Sequence, residues 1–359
     1  MKNINSKIPR SGYVFSREKI ISNEEQCLST YAAKNSDSGK TKRQHPEEED
    51  AFRTAFQRDR DRIIHAKSFR RLKGKTQVFI AHYGDHFRTR LSHSLEVAQI
   101  ARDISRTLGL NEDLSESIAL AHDLGHTPFG HAGEESLNDI LSKHGMSFEH
   151  NQQSRKIVEK LEIRYQNFPG LNLTKAVIDG LSKHQTFFDN QKKKIKKFPH
   201  LEAEVVNVAD EIAYLNHDVD DGLASSFFSF DELEELEIWR LATQNIDPSI
   251  PSDVFRARAV SALINFMILD IYGNFAPAKG ILFSEEVKEQ KDELRQFLYE
   301  KFYMEKEVTK QSQKGQKIIE DLFNHFLKKK DFSGDIESIK DFIAGMTDDF
   351  AENYWEEIR

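Results

Sequence analysis

The feature that constrains this chain most is a set of ionisable residues standing on helical stripes that are otherwise apolar. Arg88 to Leu108 reads as an amphipathic helix, and His93 lies on its buried stripe, followed by Val97, Ile100 and Ile104 at i+4, i+7 and i+11. A second helix, about Asp113 to Leu124, carries Ile118-Ala119-Leu120-Ala121 straight into His122-Asp123. A third, Leu201 to Asp218, aligns Val206, Ala209, Asp210, Ala213, Tyr214 and His217 at spacings of three and four. A buried histidine needs a partner, and an aspartate on an apolar face is expensive unless it is paired or bound to a cation. Brought together, His93, His122, Asp123 and Asp210 offer two imidazoles and two carboxylates from three helices. That set suits Mn, Fe, Zn or Mg better than a metal selected by thiolates. Four protein ligands leave positions for water and a substrate oxygen. Such a centre can polarise a phosphoryl group and generate hydroxide near neutral pH.

The stretch His122-Asp123-Leu124-Gly125-His126-Thr127-Pro128-Phe129-Gly130-His131 concentrates three histidines and an aspartate. Helical spacing would put His122 and His126 on one face, with Pro128 and Gly130 ending the helix and His131 on the loop that closes over the site. Upstream, Arg58-Asp59-Arg60-Asp61-Arg62 leads into a helix expected to run through Leu72. The run reads as a solvated face of ion pairs, with phosphate binding by its arginines as the alternative. Thr76 to Ile80 is the best strand, with a turn at Gly84-Asp85. Further helices are expected from Phe148 to about Tyr165, 172–184, 231–243, 253–273, 284–302, 316–329 and 336–358, with Glu305 to Gly315 as a polar linker. No repeat and no alternating strand–helix pattern is present, so the fold class is all-α with one small β-hairpin.

Composition excludes several functions. The chain has 359 residues, with 51 Lys+Arg against 59 Asp+Glu and a net charge of -8, which argues against a dedicated nucleic-acid or membrane-surface protein. The single cysteine, Cys27, rules out a disulfide framework or a Cys-based metal site within one chain. No apolar run approaches the ~20 residues that span a bilayer, and the simplest location is the cytoplasm. Residues 1–50 are polar and read as a flexible tail. The basic run Lys192 to Lys197 reads as a solvated loop that could steer an anion.

The order His…His-Asp…Asp resembles the HD-domain metal-dependent phosphohydrolases. Longer words narrow the resemblance: Phe69-Arg70-Arg71-Leu72, Lys75-Thr76-Gln77-Val78-Phe79, Arg88 to Val97, Ala121 to His131, Phe148-Glu149-His150-Asn151, Ala209 to Tyr214, and Ile343-Ala344-Gly345-Met346-Thr347. In this order they resemble the deoxyguanosinetriphosphate triphosphohydrolase (dGTPase) family from about Phe52 to Phe350. The resemblance implies an HD-domain helical core over 51–275, a C-terminal helical region over 276–359, and hydrolysis of a dNTP to deoxynucleoside and intact triphosphate. It implies His93, His122, Asp123 and Asp210 as ligands of a divalent ion whose identity is left open. It implies Arg90 as a phosphate contact and His126, His131, Glu134 and His150 as catalytic. His131 would be the general acid, oriented by Glu134, and a metal-bound hydroxide the nucleophile. Gln77, Tyr214 and Asp218 would contact the deoxyribose. It further implies a homo-oligomer, tetramer or hexamer, with a dNTP activator. Lys73-Gly74 and Asp349 depart from the family's usual residues. Other HD phosphohydrolases, acting on cyclic nucleotides or guanosine tetraphosphate, and a non-catalytic nucleotide sensor are the alternatives. The tetraphosphate hydrolases usually follow their His-Asp pair with acidic residues, where Leu124-Gly125-His126 stands here, and no Gly-Tyr-Pro motif occurs.

Overall fold

Capping side chains set where the helices begin. In the computed structural model, which describes residues 15–78, 88–181, 198–329, 332 and 335–359, α1 (Arg17–Cys27) and the single turn α2 (Ser38–Thr41) lead to α3 (Ala55–Ile64) and α4 (Lys67–Arg71). Thr54 and Gln57 form a capping box at the start of α3. Thr89 and Ser92 do the same for α5 (Arg90–Thr107), which fixes the register of Arg90 and His93. Asn111 caps α6 (Glu112–Ala121), and after it come α7 (Gly130–Ser142), α8 (His150–Lys156) and α9 (Lys175–Leu181). His200 caps the long α10 (Leu201–Ala224). The short α11 (Phe230–Leu233) and α12 (Glu237–Thr243) precede α13 (Ser252–Asn274), α14 (Glu285–Leu298), α15 (Lys306–Lys328), α16 (Ile336–Ala344) and α17 (Asp348–Glu357).

Two apolar cores result. In the larger, α5 lies between α6 and α10, and α3, α9 and α13 close around them through Phe56, Ile104, Leu114, Val206, Trp239 and Leu263. In the smaller, Phe129, Leu137 and Leu141 pack on Ile318, Leu322, Phe323 and Ile343 of α15 and α16. Residues 122–130 run between the two cores and are gripped from the C-terminal side. The Asp348 carboxylate accepts from the Thr76 N–H at 2.8 Å and the Phe129 N–H at 3.0 Å. The buried Lys75 ammonium donates to the carbonyls of His126 and Ala344. At Gly74 a Cβ would lie 3.0 Å from Thr347 Cγ2, so the glycine of the Lys73-Gly74 departure admits the C-terminal segment. Asp349, the other departure, is exposed and makes none of these contacts.

The all-α class holds, and several boundaries differ from expectation. Among the described residues no strand forms. One antiparallel bridge, Thr76–Thr89, stands where the hairpin was expected, and residues 79–87 lie outside the described residues, as does the basic run Lys192 to Lys197. The helix expected through Leu72 breaks at His65-Ala66, because the Glu162 carboxylate accepts from the N–H groups of Lys67 and Ser68 and so starts a new helix there. Residues 306–315, expected as a linker, form the first part of α15. Nor do residues 15–50 form a loose tail. Ala33 is fully buried, and Arg43 reaches Asp59 at 2.5 Å and the carbonyls of Asn172 and Ala55 at 2.6 and 3.0 Å. The polar composition misled because this segment docks through ion pairs rather than apolar area. Arg60 and Arg62 are likewise engaged by Asp113, Glu116 and Glu47.

Arg43→Met tests this docking. Asp59 is fully buried and keeps the Thr174 N–H at 2.9 Å but loses its cation. Breaking a buried pair from one side costs about 3–5 kcal/mol. The urea midpoint should fall accordingly, and an unchanged midpoint would show that the segment contributes nothing to stability.

Candidate metal centre and cleft

His93 comes from the first turn of α5, His122 and Asp123 from the turn after α6, and Asp210 from the middle of α10. All four are buried. His93 Nε2 lies 3.0 Å from Asp210 Oδ1 and 3.9 Å from Asp123 Oδ2. His122 Nε2 lies 3.3 Å from Asp123 Oδ1 and 3.6 Å from Asp210 Oδ1. His122 donates its Nδ1–H to the Ala119 carbonyl at 2.6 Å, which leaves Nε2 as its ligand atom. The site's charge also fits a cation. Burial alone would push His122 down, yet the carboxylates of Asp123 and Asp210 hold it at about 9, so a proton stands in where positive charge is wanted. Although burial would raise it, Asp123 is held well below the usual carboxylate range by His122 and Arg90. His93, His122 and Asp210 form a His/Asp cluster suited to a divalent metal ion, with Asp123 beside it.

A second group of side chains flanks the first. Gly125 lets the 122–126 turn press on α8: a Cβ there would fall 2.2 Å from the Ser154 nitrogen and 2.3 Å from the His150 carbonyl. This contact stacks the His126 and His150 rings at 4.0 Å and 17°. The turn is not helical, so His126 reaches the site by the bend and not by sharing a helical face with His122. His131 is the second residue of α7 rather than part of a loop. Glu134, expected to orient His131, instead bonds His150 Nδ1 at 3.0 Å and accepts from its backbone N–H at 2.7 Å. It lies 3.8 Å from His126 and 3.9 Å from His131. Burial opposes ionisation of Glu134, but His150 holds it down at about 2. His126 sits well below the ordinary histidine range, through burial and then the charge of Arg90, and is neutral at pH 7. His131 is lowered by the same two causes. Besides the first cluster, Asp123 with His126 and His150, and His126 with His131 and Glu134, form two further groups whose possible ligand atoms lie within 4.8 Å of one another.

Arg90 is almost fully buried. Its Nη1 bonds Asp123 at 2.7 Å, while Nε and Nη2 have no hydrogen-bond partner among the described residues. A guanidinium with two unmet donors is a site for an oxyanion. The cleft runs from there past Gln77, Val78, His93, His126 and His131 to Tyr214, Asp218 and Tyr303. The sequence reading missed Tyr303, on a π-helical turn after α14, whose hydroxyl donates to Asp218. It also missed Arg295, which donates to the Tyr214 hydroxyl at 2.9 Å. A C-terminal residue 85 positions from its partner leaves no periodic signal to find.

Residues 90–215 match the HD domain and residues 281–357 the phosphohydrolase-associated domain. Fold and site together define an HD-domain phosphohydrolase, a hydrolase with a His/Asp metal site. A deoxyguanosinetriphosphate triphosphohydrolase-like protein of Geobacter sulfurreducens is 42% identical, covering 93% of this chain and 95% of its own length. One of Leptospira interrogans is 39% identical over 96% and 99%, and one of Ralstonia pickettii 42% identical over 86% and 89%. The chain belongs to the deoxyguanosinetriphosphate triphosphohydrolase-like family. No helix among the described residues is long and apolar enough to cross a membrane.

Asp218 gives a pH test of the cleft. Burial raises its carboxyl to about 8, and Asp221 adds to the shift while Tyr303 and Arg88 oppose it. The folded state therefore binds a proton that the unfolded state has released above about pH 3.9, so stability falls as pH rises from there through pH 8. Asp218→Asn removes that term. The variant should gain stability relative to wild type as pH rises from 4 to 8 in metal-free urea titrations, and parallel curves would refute a neutral Asp218.

Proposed function

We propose that this chain hydrolyses deoxynucleoside triphosphates at the α-phosphate, releasing deoxynucleoside and inorganic triphosphate. The observation that carries the reading is Arg90: a buried guanidinium, two N–H donors unmet, beside the His/Asp cluster and facing a cleft that ends in Tyr214, Asp218 and Tyr303. One end of the cleft suits phosphate and the other a sugar. The relatives' names point the same way.

In this reading His93, His122, Asp123 and Asp210 hold the divalent ion. When bound, such an ion polarises a phosphoryl oxygen and lowers the pKa of water beside it. The remaining work falls to the chain. Arg90 Nε and Nη2 donate to phosphate oxygens. His126, neutral and braced on His150, contacts the α-phosphate or the attacking water. His131 gives its proton to the departing 5′ oxygen. For that it must be protonated; burial and then the Arg90 charge hold it down, and the charge of a bound triphosphate would offset the second of these. Glu134, through its bonds to His150 and its charge near His126 and His131, keeps the histidine group in place. Tyr214 packs beneath the sugar, where it crowds a 2′-hydroxyl, and Gln77 and Asp218 bind the 3′-hydroxyl. The finer expectations of a homo-oligomer, a dNTP activator and a cytoplasmic location belong to the same reading.

Product analysis tests the reaction. Each of the four dNTPs, and GTP, incubated with Mn or Mg should show deoxynucleoside plus intact triphosphate from at least one dNTP, with GTP much slower. Monophosphate and pyrophosphate would refute cleavage between the 5′ oxygen and the α-phosphorus as proposed. A second measurement divides the roles. Asp210→Ala should lose metal binding and turnover together, whereas His131→Ala should keep its metal and lose about 10²–10⁴-fold in kcat. His131→Ala turning over at the wild-type rate would remove His131 from the acid role.

A further inference from the structure

The two imidazoles of the His/Asp cluster are held by different devices. His122 leans on a backbone carbonyl, which can only accept. His93 leans on another histidine: its Nδ1 lies 3.3 Å from His217 Nδ1, with the rings edge to face at 82°. Only one of two facing ring nitrogens can carry the shared proton. His93 presents Nε2 to Asp210 and Asp123, on the cluster side, so its proton belongs on Nδ1. His217 must then accept at Nδ1 and carry its own proton on Nε2. That nitrogen is bonded to the Glu96 carboxylate, which has no proton to give and so requires a donor. Glu96 is in turn held 3.4 Å from Arg88, whose other nitrogens reach Asp220 and Asp221 at 2.9 Å.

We propose that Glu96 and His217 form a relay of fixed polarity that sets the tautomer and aim of His93, making them positioning residues for the metal centre. The chain of donors runs from His93 to His217 to Glu96, and each link fixes the next. Glu96 sits one turn after His93 on α5, and His217 two turns after Asp210 on α10, so the helices that present two of the cluster residues also present the relay. A metal-ligating histidine ordinarily donates its other N–H to a carboxylate or carbonyl, and loss of that partner typically weakens metal binding ~10–100-fold. Here the carboxylate acts through an intervening imidazole. The proposal rests on the reading of His93 as a metal ligand, and the experiment separates the two.

Metal affinity is measured with Mn and with Zn, against a competing chelator, for wild type, His93→Ala, His217→Leu, Glu96→Met and Glu96→Gln. His217→Leu leaves the His93 N–H without an acceptor and should bind each metal ~10–100-fold more weakly. Glu96→Met, which cannot accept, should weaken binding in the same direction, whereas Glu96→Gln still offers an amide oxygen and should stay within about threefold of wild type. The Glu96 side chain is 41% exposed, so its variants should melt like wild type without metal and carry the test should His217→Leu misfold. In Zn-loaded protein with ¹⁵N-labelled histidine, the His217 proton should appear on Nε2. If His93→Ala loses metal while His217→Leu and Glu96→Met bind as wild type does, or if His217 carries its proton on Nδ1, the relay is overturned and the ligand assignment stands. If His93→Ala itself binds as wild type does, the ligand assignment falls and the relay with it.

Discussion

Two buried carboxylates facing one another across a helix bundle are the constraint on which the rest of this molecule depends. Asp123 and Asp210 each lie close to His93 and His122 in a site with almost no solvent. Such a concentration of negative charge is tolerable only with compensating positive charge close by. The protein supplies it from Arg90 on one side and, without a cation, from a proton on His122. The packing of α5 against α6 and α10 brings each carboxylate to within 3.9 Å of both histidines. The apolar stripes that bear them supply the burial that makes the charges matter.

The second structural theme is that the cleft belongs to both cores. Residues 122–130 leave the larger core after Leu124 and enter the smaller one at Phe129, which adopts a left-handed backbone at φ 63. That strained position is held by the Asp348 carboxylate on its N–H, while Lys75 ties the carbonyl of His126 to that of Ala344. The C-terminal helices thus act on the histidines through the backbone rather than by adding polar groups beside them. Tyr303 and Arg295 differ, since their side chains meet Asp218 and Tyr214 in the cleft directly.

What could be read in the sequence and what could not divide along the same line. His93, Asp210 and the His122-Asp123 pair were visible because each violates a periodic apolar pattern, and periodicity is local. The helix break at Ala66 was invisible because its cause, Glu162, lies 95 residues downstream of Lys67. The docking of residues 15–50 was hidden for the same reason: Arg43 looks like one more charge in a polar run until Asp59, Asn172 and Ala55 surround it. The non-helical turn at 122–126 depends on Ser154, whose hydroxyl accepts from the Gly125 N–H and donates to the His122 carbonyl, a pairing no spacing rule contains. The motif words picked out residues that the fold gathers around one cleft, while the direct bonds of Glu134 go to His150, a partner that spacing does not indicate.

The arrangement of protonation states gives the cleft a direction. His122 is charged where two carboxylates face it, while His126 is neutral because burial and Arg90 disfavour its cation. The two histidines are only four residues apart, so the difference comes from which neighbours the turn selects and not from the residues themselves. A divalent ion entering the carboxylate side would displace the proton from His122. A polyanion entering beside Arg90 would favour a proton on the opposite side, where His131 stands nearest to solvent. A divalent ion brings two positive charges in exchange for that one proton, so charge at the carboxylate end rises, and a proton taken up by His131 comes from solvent. On the proposed chemistry, that second proton is the one a departing alkoxide needs.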